Sequence, residues 1–168
     1  VPRPIRPDQI TFKDFCVQYL EIKKPSLSPN TYNFYSKVIE EELIPMFARL
    51  KMCELRTYHI QQFVSYLATE KKRLDGREGK IAASTVKRYT TVLRSIVTTA
   101  YKLEYIEDDI GRSRRIAFPK EETKEVEAFT IQEVGDILNA LESEPINIRA
   151  LIEVALFTGC RRGEIVGL

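Results

Sequence analysis

The sequence predicts a mainly α-helical protein, with a four-helix bundle at residues 11–106, a linker at 107–128 and the first helices of a truncated second domain at 129–168. Apolar residues recur every three or four positions through the bundle region, as on one face of a helix. No run there alternates convincingly between apolar and polar residues, so we expect no strand in it. The periodicity fails after the bundle, which indicates the linker. Prolines at positions 2, 4 and 7 predict an extended tail over residues 1–10.

Capping residues and prolines set the expected limits of the first two helices. Thr11 is the expected N-cap of the first helix, because its hydroxyl can accept from a free backbone N–H, and Pro25 is expected to end that helix. Ser28 is the expected N-cap of the second helix. Pro29 follows at the first helical position, where a missing N–H costs nothing. Pro45 is expected to end the second helix.

The third and fourth helices are predicted from the same signals. Thr57 and Ser84 are their expected N-caps, and the polar, glycine-containing stretch 73–80 predicts the loop between them. His59 lies in the first turn of the third helix without a partner at a metal-ligand spacing, so we expect it to be solvated or to cap the helix. Four of the eight tyrosines, Tyr19, Tyr32, Tyr35 and Tyr89, lie on apolar stripes, and the other four adjoin no general base, so we expect none of them to be catalytic.

The region after the linker begins with a helix and continues into a very apolar segment. Thr130 and Glu133 have the spacing of a capping box. Pro145 precedes a helix that is hydrophobic almost all round at residues 150–157. A region of about 40 residues rarely folds alone and offers too few packing partners for such a helix. We therefore expect the second domain to continue beyond Leu168.

The charges are segregated although the formal net charge is only +2. Lys and Arg dominate residues 71–120, and Asp and Glu dominate residues 121–144. Basic residues at a helix start and in an adjoining linker suit a nucleic-acid phosphate backbone, while a solvated basic face is the alternative. The candidate DNA-binding residues lie at the start of the second helix, at the start of the fourth helix and in the linker: Ser28, Asn30 and Thr31; Lys80, Ser84, Thr85, Lys87 and Arg88; Arg112, Arg114 and Arg115.

A glycine, an arginine and a glutamate follow the apolar helix at a suggestive spacing. Gly159 can end the helix in the left-handed conformation. Arg161 comes two residues later, and its guanidinium stays charged and matches two phosphate oxygens. We expect it to be fixed at the mouth of a core and aimed at an anion. Glu164 would hold the guanidinium or cap the next helix. The alternative is a glycine C-cap followed by surface charges.

The stretch from Thr158 to Leu168 reads Thr-Gly-x-Arg-x-Gly-Glu-Ile-x-x-Leu. It resembles the first active-site arginine motif of the tyrosine recombinases, the phage integrase family. Cys160 is a departure, since the family usually has a bulky aliphatic residue there. Upstream elements are similar to family members as well: Ser28 and Thr31 with Tyr35, Ser84 and Thr85 with Arg88, and Thr130 with Glu133.

The resemblance implies a SAM-like core-binding domain at 11–106 and the N-terminal part of a catalytic domain at 129–168. In such an enzyme a tyrosine attacks a DNA phosphodiester and forms a 3′-phosphotyrosyl link, without a metal or other cofactor. Arg161 would hold the transition-state phosphate, and Glu164 would support it. The implied function is site-specific recombination or integration, as of a mobile element, by a tetramer on double-stranded DNA. The nucleophile is expected beyond residue 168, so the chain alone should bind DNA without cutting it.

Two other function classes stay open, namely a non-enzymatic helical DNA-binding regulator and a protein-interaction module. The composition argues against several further classes. Cys16, Cys53 and Cys160 have no zinc or redox spacing and do not suggest a disulfide scaffold. No apolar stretch approaches the roughly 20 residues that cross a bilayer. We therefore expect a cytoplasmic protein with no metal site and no membrane partner.

Overall fold

The structure is a computed structural model that describes residues 9–71, 79–120 and 128–167. These described residues form helices and connecting segments without a named strand, and Thr11 and Lys51 form an isolated antiparallel bridge. The predicted mainly α-helical class is therefore confirmed. The chain divides into two compact units, residues 1–122 and 123–168, which are described separately.

The first unit is a bundle whose helices pack around an aromatic and aliphatic core. Tyr19, Phe12, Phe15 and Phe63 are among its largest side chains that are fully buried. Its α-helices are α1 (Phe12–Lys23), α2 (Pro29–Val38), α3 (Ile44–Phe47), α4 (Thr57–Thr69) and α5 (Ala83–Lys102). Short 3₁₀ turns occur at Lys24–Ser26, Met52–Glu54 and Ile110–Arg112, and a π-helical turn occurs at Ile39–Leu43.

Two of the predicted N-caps are confirmed and two are wrong by one or two positions. Thr11 and Ser28 accept from backbone N–H groups three residues later, at 3.2 and 3.3 Å. Thr57 is already helical and follows the capping position, where the Arg56 N–H donates to Nδ1 of His59 at 3.0 Å. His59 thus has the predicted capping role. Ser84 is the second residue of α5, because the helix already begins at Ala83.

Pro45 does not end the second helical segment as predicted. The path continues from α2 through the π-helical turn into α3, which contains Pro45. At the end of that turn the Ile44 N–H donates to the Ile39 carbonyl, five residues back. Because the wider turn changes the hydrogen-bond register before the proline, the chain stays helical despite the missing N–H.

The end of the predicted N-terminal tail belongs to the folded unit. Ile10 is buried, and its carbonyl accepts from the Met52 N–H at 3.0 Å. The Phe12 N–H donates to the Leu50 carbonyl at 2.8 Å. These two bonds and the bridge between them fix the entry into α1. Residues 1–8 of the predicted tail lie outside the described residues, as do residues 72–78 of the predicted loop and 121–127 of the predicted linker.

Much of the predicted linker is instead packed on the first unit. We call residues 106–118 the strap. Ile106 and Ile116 are each 8% exposed, and Phe118 packs against the core. The side chain of Gln61 on α4 makes two hydrogen bonds to Ala117, accepting from its N–H at 2.8 Å and donating to its carbonyl at 3.2 Å. The first part of the segment is therefore held in place by apolar burial and by α4.

Close backbone contact holds the strap on α5. A Cβ atom added at Gly111 would lie 2.7 Å from both the Arg94 carbonyl oxygen and Oγ1 of Thr98. Nε of Arg94 donates to the Gly111 carbonyl, and Oγ1 of Thr98 donates to Oδ1 of Asp109 at 2.9 Å. Glycine is required here because only a residue without a side chain lets the two backbones approach so closely.

The second unit contains α6 (Ile131–Ala140), a 3₁₀ turn at Leu141–Ser143, α7 (Ile146–Thr158) and α8 (Arg162–Ile165). The predicted capping box is confirmed, since Thr130 and Glu133 each accept from the other's backbone N–H. Among the described residues of this unit only Leu141 is buried, whereas Ile131 is 94% and Phe157 is 73% exposed. The unit therefore leaves the apolar surfaces of α6 and α7 largely uncovered.

We predict that Gly111→Ala loosens the strap. The added methyl group would overlap the Arg94 carbonyl and the Thr98 hydroxyl, which we expect to lower the free energy of unfolding by about 1–3 kcal/mol. Amide hydrogen exchange should accelerate across residues 110–118. Gly135→Ala is the control, because nothing lies within 4 Å of its added Cβ and alanine favours the α6 helix. Unchanged exchange in the strap of Gly111→Ala would contradict the prediction.

Candidate nucleic-acid interface

The start of α2 presents polar groups at a helix N-terminus. Ser28 caps the helix, and its hydroxyl lies 2.9 Å from that of Thr31. Asn30 is exposed in the first turn. Free backbone N–H groups and the helix dipole favour an anion at such an end. The three α2 residues predicted to bind DNA are therefore placed together on one exposed turn.

The start of α5 presents cations. Lys87 and Arg88 are exposed in the second turn, Ser84 is exposed in the first turn, and Lys80 is exposed just before the helix. Thr85 is half-buried. The helix contains Lys87, Arg88, Arg94 and Lys102, and it has no acidic residue. The charged residues of this helix are therefore all basic.

The structure joins the two predicted surfaces in one cleft. The guanidinium of Arg88 lies over the ring of Phe34, 4.1 Å from its centroid, in a cation–π arrangement. A cavity of about 320 Å³ opens beside this pair. We call it the α2–α5 cleft, and its lining residues are Asn30, Thr31, Phe34, Tyr35, Arg88 and Thr91. Ser28, Lys80, Ser84, Thr85 and Lys87 do not line the cavity.

Phe34 and Thr91 were missed from the sequence. Phe34 lies one turn after Asn30 on α2, off the apolar stripe that predicted the helix, and this placement is the signal that could have identified it. Its ring contacts the edges of Tyr35 and Tyr89 with centroids 6.1 and 5.8 Å apart. The platform beneath Arg88 is therefore supported by further aromatic rings.

A charged pair lies near this aromatic group. Nζ of Lys71 donates to Oε1 of Glu42, whose side chain is 2% exposed. Oε2 of Glu42 has no hydrogen-bond partner. Burial opposes the charged form of Lys71, but the hydrogen bond and the charge of Glu42 raise the pKa of Lys71. Burial and then the Glu42 charge raise the pKa of Tyr89. The pair thus ties the end of α4 to the π-helical turn after α2.

The tyrosines with perturbed acidity are held in the neutral form. Burial raises the pKa of Tyr19 to about 12, although its hydrogen bond to Ser95 acts in the opposite direction. The Tyr19 hydroxyl donates to Oγ of Ser95 at 2.8 Å. A raised pKa lowers the fraction of the phenolate, the form that acts as a nucleophile, at neutral pH. That none of the tyrosines in this chain is catalytic stays a prediction.

The strap places the three predicted linker arginines at different positions. Arg112 is in the 3₁₀ turn of the strap, with Nε 3.4 Å from Oδ2 of Asp109. Arg114 and Arg115 are exposed in the following turn. Arg112 lines a cavity that it shares with Arg94 and Lys102 on α5. The sequence did not identify Arg94 as part of a binding surface.

The arginine motif has the predicted local geometry but not the predicted burial. Gly159 ends α7 with φ 65°, in the left-handed region. Oε2 of Glu164 accepts from the Arg161 backbone N–H at 2.9 Å, and Oε1 accepts from its Nη1 at 3.3 Å. Glu164 therefore performs both roles that the sequence left open. The Arg161 side chain is 89% exposed, so the expected mouth of a core is not formed by the described residues of this unit.

The chain is similar to known proteins over part of its first unit and over most of its length. Residues 11–68 match the model of the phage integrase N-terminal SAM-like domain. The chain is 28% identical over 159 residues to a protein named tyrosine recombinase XerC from Natranaerobius thermophilus. That alignment covers 90% of this chain and 50% of the relative. The chain is therefore similar to a tyrosine recombinase over most of its length. It spans about half the length of that relative, and no solved structure gave a significant match.

Two searches of the described residues gave negative results. None of the helices within residues 9–71, 79–120 and 128–167 is long and apolar enough to cross a membrane. In the same parts of the chain, no group of three His, Cys, Asp or Glu side chains is placed to hold a metal ion. The α2–α5 cleft itself is lined by an arginine, an asparagine, two threonines and two aromatic rings.

We predict that Lys71→Ala destabilises the first unit far more than the loss of an exposed ion pair does. The change leaves the buried Glu42 carboxylate without its partner, which we expect to cost about 3 kcal/mol. Lys37→Ala is the control, because the Lys37–Glu41 pair is exposed and should be worth less than about 1 kcal/mol. Urea unfolding followed by circular dichroism measures both. Adding Glu42→Leu to Lys71→Ala should recover much of the loss; equal stabilities of the two single variants would refute the assigned role.

Proposed function

We propose that the α2–α5 cleft binds double-stranded DNA and that the longer protein is a site-specific DNA recombinase. The observation that carries the proposal is the Arg88 guanidinium stacked on Phe34 between the polar start of α2 and the basic face of α5. Stacking restricts the arginine without using its N–H groups, so its planar fork stays available for a nucleic acid.

The chemistry of the cleft suits both parts of a DNA duplex. Hydroxyl groups and backbone N–H groups at the start of α2 match phosphate oxygens, which fix the position of a protein on DNA. The guanidinium of Arg88 and the amide of Asn30 can form hydrogen bonds with base edges in the major groove. This groove is wide enough to admit an α-helix such as α5. We propose that Ser28, Thr31, Lys80, Ser84, Thr85 and Lys87 contribute phosphate contacts around this centre.

The arginine motif supports the second part of the proposal. In the reaction that the family resemblance implies, a tyrosine oxygen bonds to the scissile phosphorus while the 5′-oxygen leaves and takes a proton. Arg161 would neutralise the charge that develops on the phosphate oxygens, and Glu164 would orient it through the two hydrogen bonds that the structure shows. The tyrosine lies outside the residues that we assign to the site. A tetramer on two duplexes is part of the same proposal.

We predict that Arg88→Ala weakens binding of the 168-residue chain to a labelled DNA duplex roughly 10-fold or more. One arginine contact to DNA is typically worth about 1–3 kcal/mol. Fluorescence anisotropy measures the affinity at a stated salt concentration. Arg49→Ala is the matched control, because Arg49 is exposed and lies outside the cleft. Phe34→Leu keeps the charge but removes the platform, so it should have an intermediate effect. Equal affinities of Arg88→Ala and Arg49→Ala would refute the assigned cleft.

We predict that Arg161→Lys in the full-length protein leaves DNA binding nearly unchanged and lowers strand cleavage by roughly 100-fold or more. Lysine keeps the charge but lacks the planar fork that contacts two oxygens of the transition state. A nicked substrate that traps the covalent protein–DNA product measures cleavage, and anisotropy measures binding. The 168-residue chain should form no covalent product. Wild-type cleavage by Arg161→Lys, or cleavage by the shorter chain, would contradict the assignment.

A further inference from the structure

A second cleft continues from the α2–α5 cleft along α5. Its volume is about 360 Å³, and Thr91 lines both cavities. We call it the α5–strap cleft. Four cations line it, Lys23 from α1, Arg94 and Lys102 from α5, and Arg112 from the strap. The remaining lining residues are hydroxyl residues and Gly111.

The two clefts share one face of α5. Arg88, Thr91, Arg94, Thr98 and Lys102 follow one another at intervals of three or four residues, which places them on the same side of a helix. With a rise of 1.5 Å per residue, this row spans roughly 21 Å. Such a length corresponds to about six base pairs of B-DNA along the helix axis.

Asp109 lies beside this row and is already engaged. Asp109 accepts a hydrogen bond from Thr98 through Oδ1 and faces Arg112 through Oδ2 at 3.4 Å, and its side chain is 18% exposed. Nε of Arg94 donates to the Gly111 carbonyl, and the Arg94 side chain lines the cleft. The Arg112 side chain is 73% exposed and remains accessible to a ligand. The cleft therefore presents positive charge on a rigid floor.

We propose that the α5–strap cleft binds the phosphate backbone of the same DNA duplex, beside the part that the α2–α5 cleft holds. The inference rests on the proposed function of the α2–α5 cleft. The strap then has a positioning role, because Gly111 and Asp109 fix Arg112 against α5. The segment predicted as a flexible linker becomes part of the DNA-binding surface.

The lining favours a nucleic-acid backbone over a protein partner. A protein interface needs a buried apolar or aromatic anchor at its centre. The described lining of the α5–strap cleft consists of cations, hydroxyl residues and a glycine, and it has no apolar anchor. Ser95 accepts from Tyr19, which leaves its own O–H to donate to a phosphate oxygen.

The test compares a short and a long duplex. The double variant Lys23→Gln/Lys102→Gln removes two cations from the α5–strap cleft. Neither position belongs to the strap or lines the α2–α5 cleft. Lys13→Gln/Lys51→Gln is the control, because both residues are exposed and line neither cleft. Anisotropy with a labelled duplex of about 8 base pairs and one of about 24 is recorded over a series of salt concentrations.

On the long duplex, the cleft double variant should weaken binding roughly 10-fold or more. The slope of log affinity against log salt concentration should become shallower by about 2, since each lost phosphate contact releases about one counterion fewer. On the short duplex it should match the control. An unchanged salt dependence on the long duplex overturns the inference, and an acidic protein would then be the partner to test. If Arg88→Ala is also without effect on both duplexes, the proposed function itself fails. Circular dichroism melting verifies that every variant is folded.

Discussion

Helix α5 couples the core of the first unit to its proposed DNA surface. One side of the helix is fully buried through Val86, Leu93, Ile96 and Val97. The exposed side carries cations, hydroxyl residues and Tyr101, and the helix has no acidic side chain. A helix packed in this way cannot rotate without exposing its apolar stripe, so the direction of the basic row is set by the core. The α2 surface and the strap are both positioned against this one element.

The two units differ in how much apolar surface they bury, although their helices have similar caps. In the first unit, capped helices bury a continuous core, and the aromatic platform and the ion pair are fixed by it. In the second unit, Thr130, Gly159 and Glu164 form their predicted local hydrogen bonds and turns, although almost nothing is buried. The hydrogen bonds of Glu164 orient Arg161, but an arginine gains its full effect on a phosphate only where water is excluded. Local order at the motif therefore forms without burial by the described residues.

The candidate DNA-binding residues show how far charge and capping patterns reach. Asn30, Thr31 and Arg88 were selected from helix starts and charge distribution, and the structure brings these three into one cleft. Arg94 and Phe34 were not selected. Arg94 lay within the basic region but carried no local sign of its contact with Gly111, and the position of Phe34 off the apolar stripe did not show that it would meet Arg88. Their roles follow from neighbours that are distant in sequence.

The helical class, most helix starts, the capping boxes and the segregation of charge follow from the sequence alone. These features arise between residues three or four positions apart, where side-chain type and spacing are sufficient. Tertiary packing decided that residues 106–118 form a strap and that Lys71 meets Glu42. Each of these depends on the close approach of backbones or on burial by distant residues. Such energies belong to pairs that a local pattern does not contain, so only the folded chain reveals them.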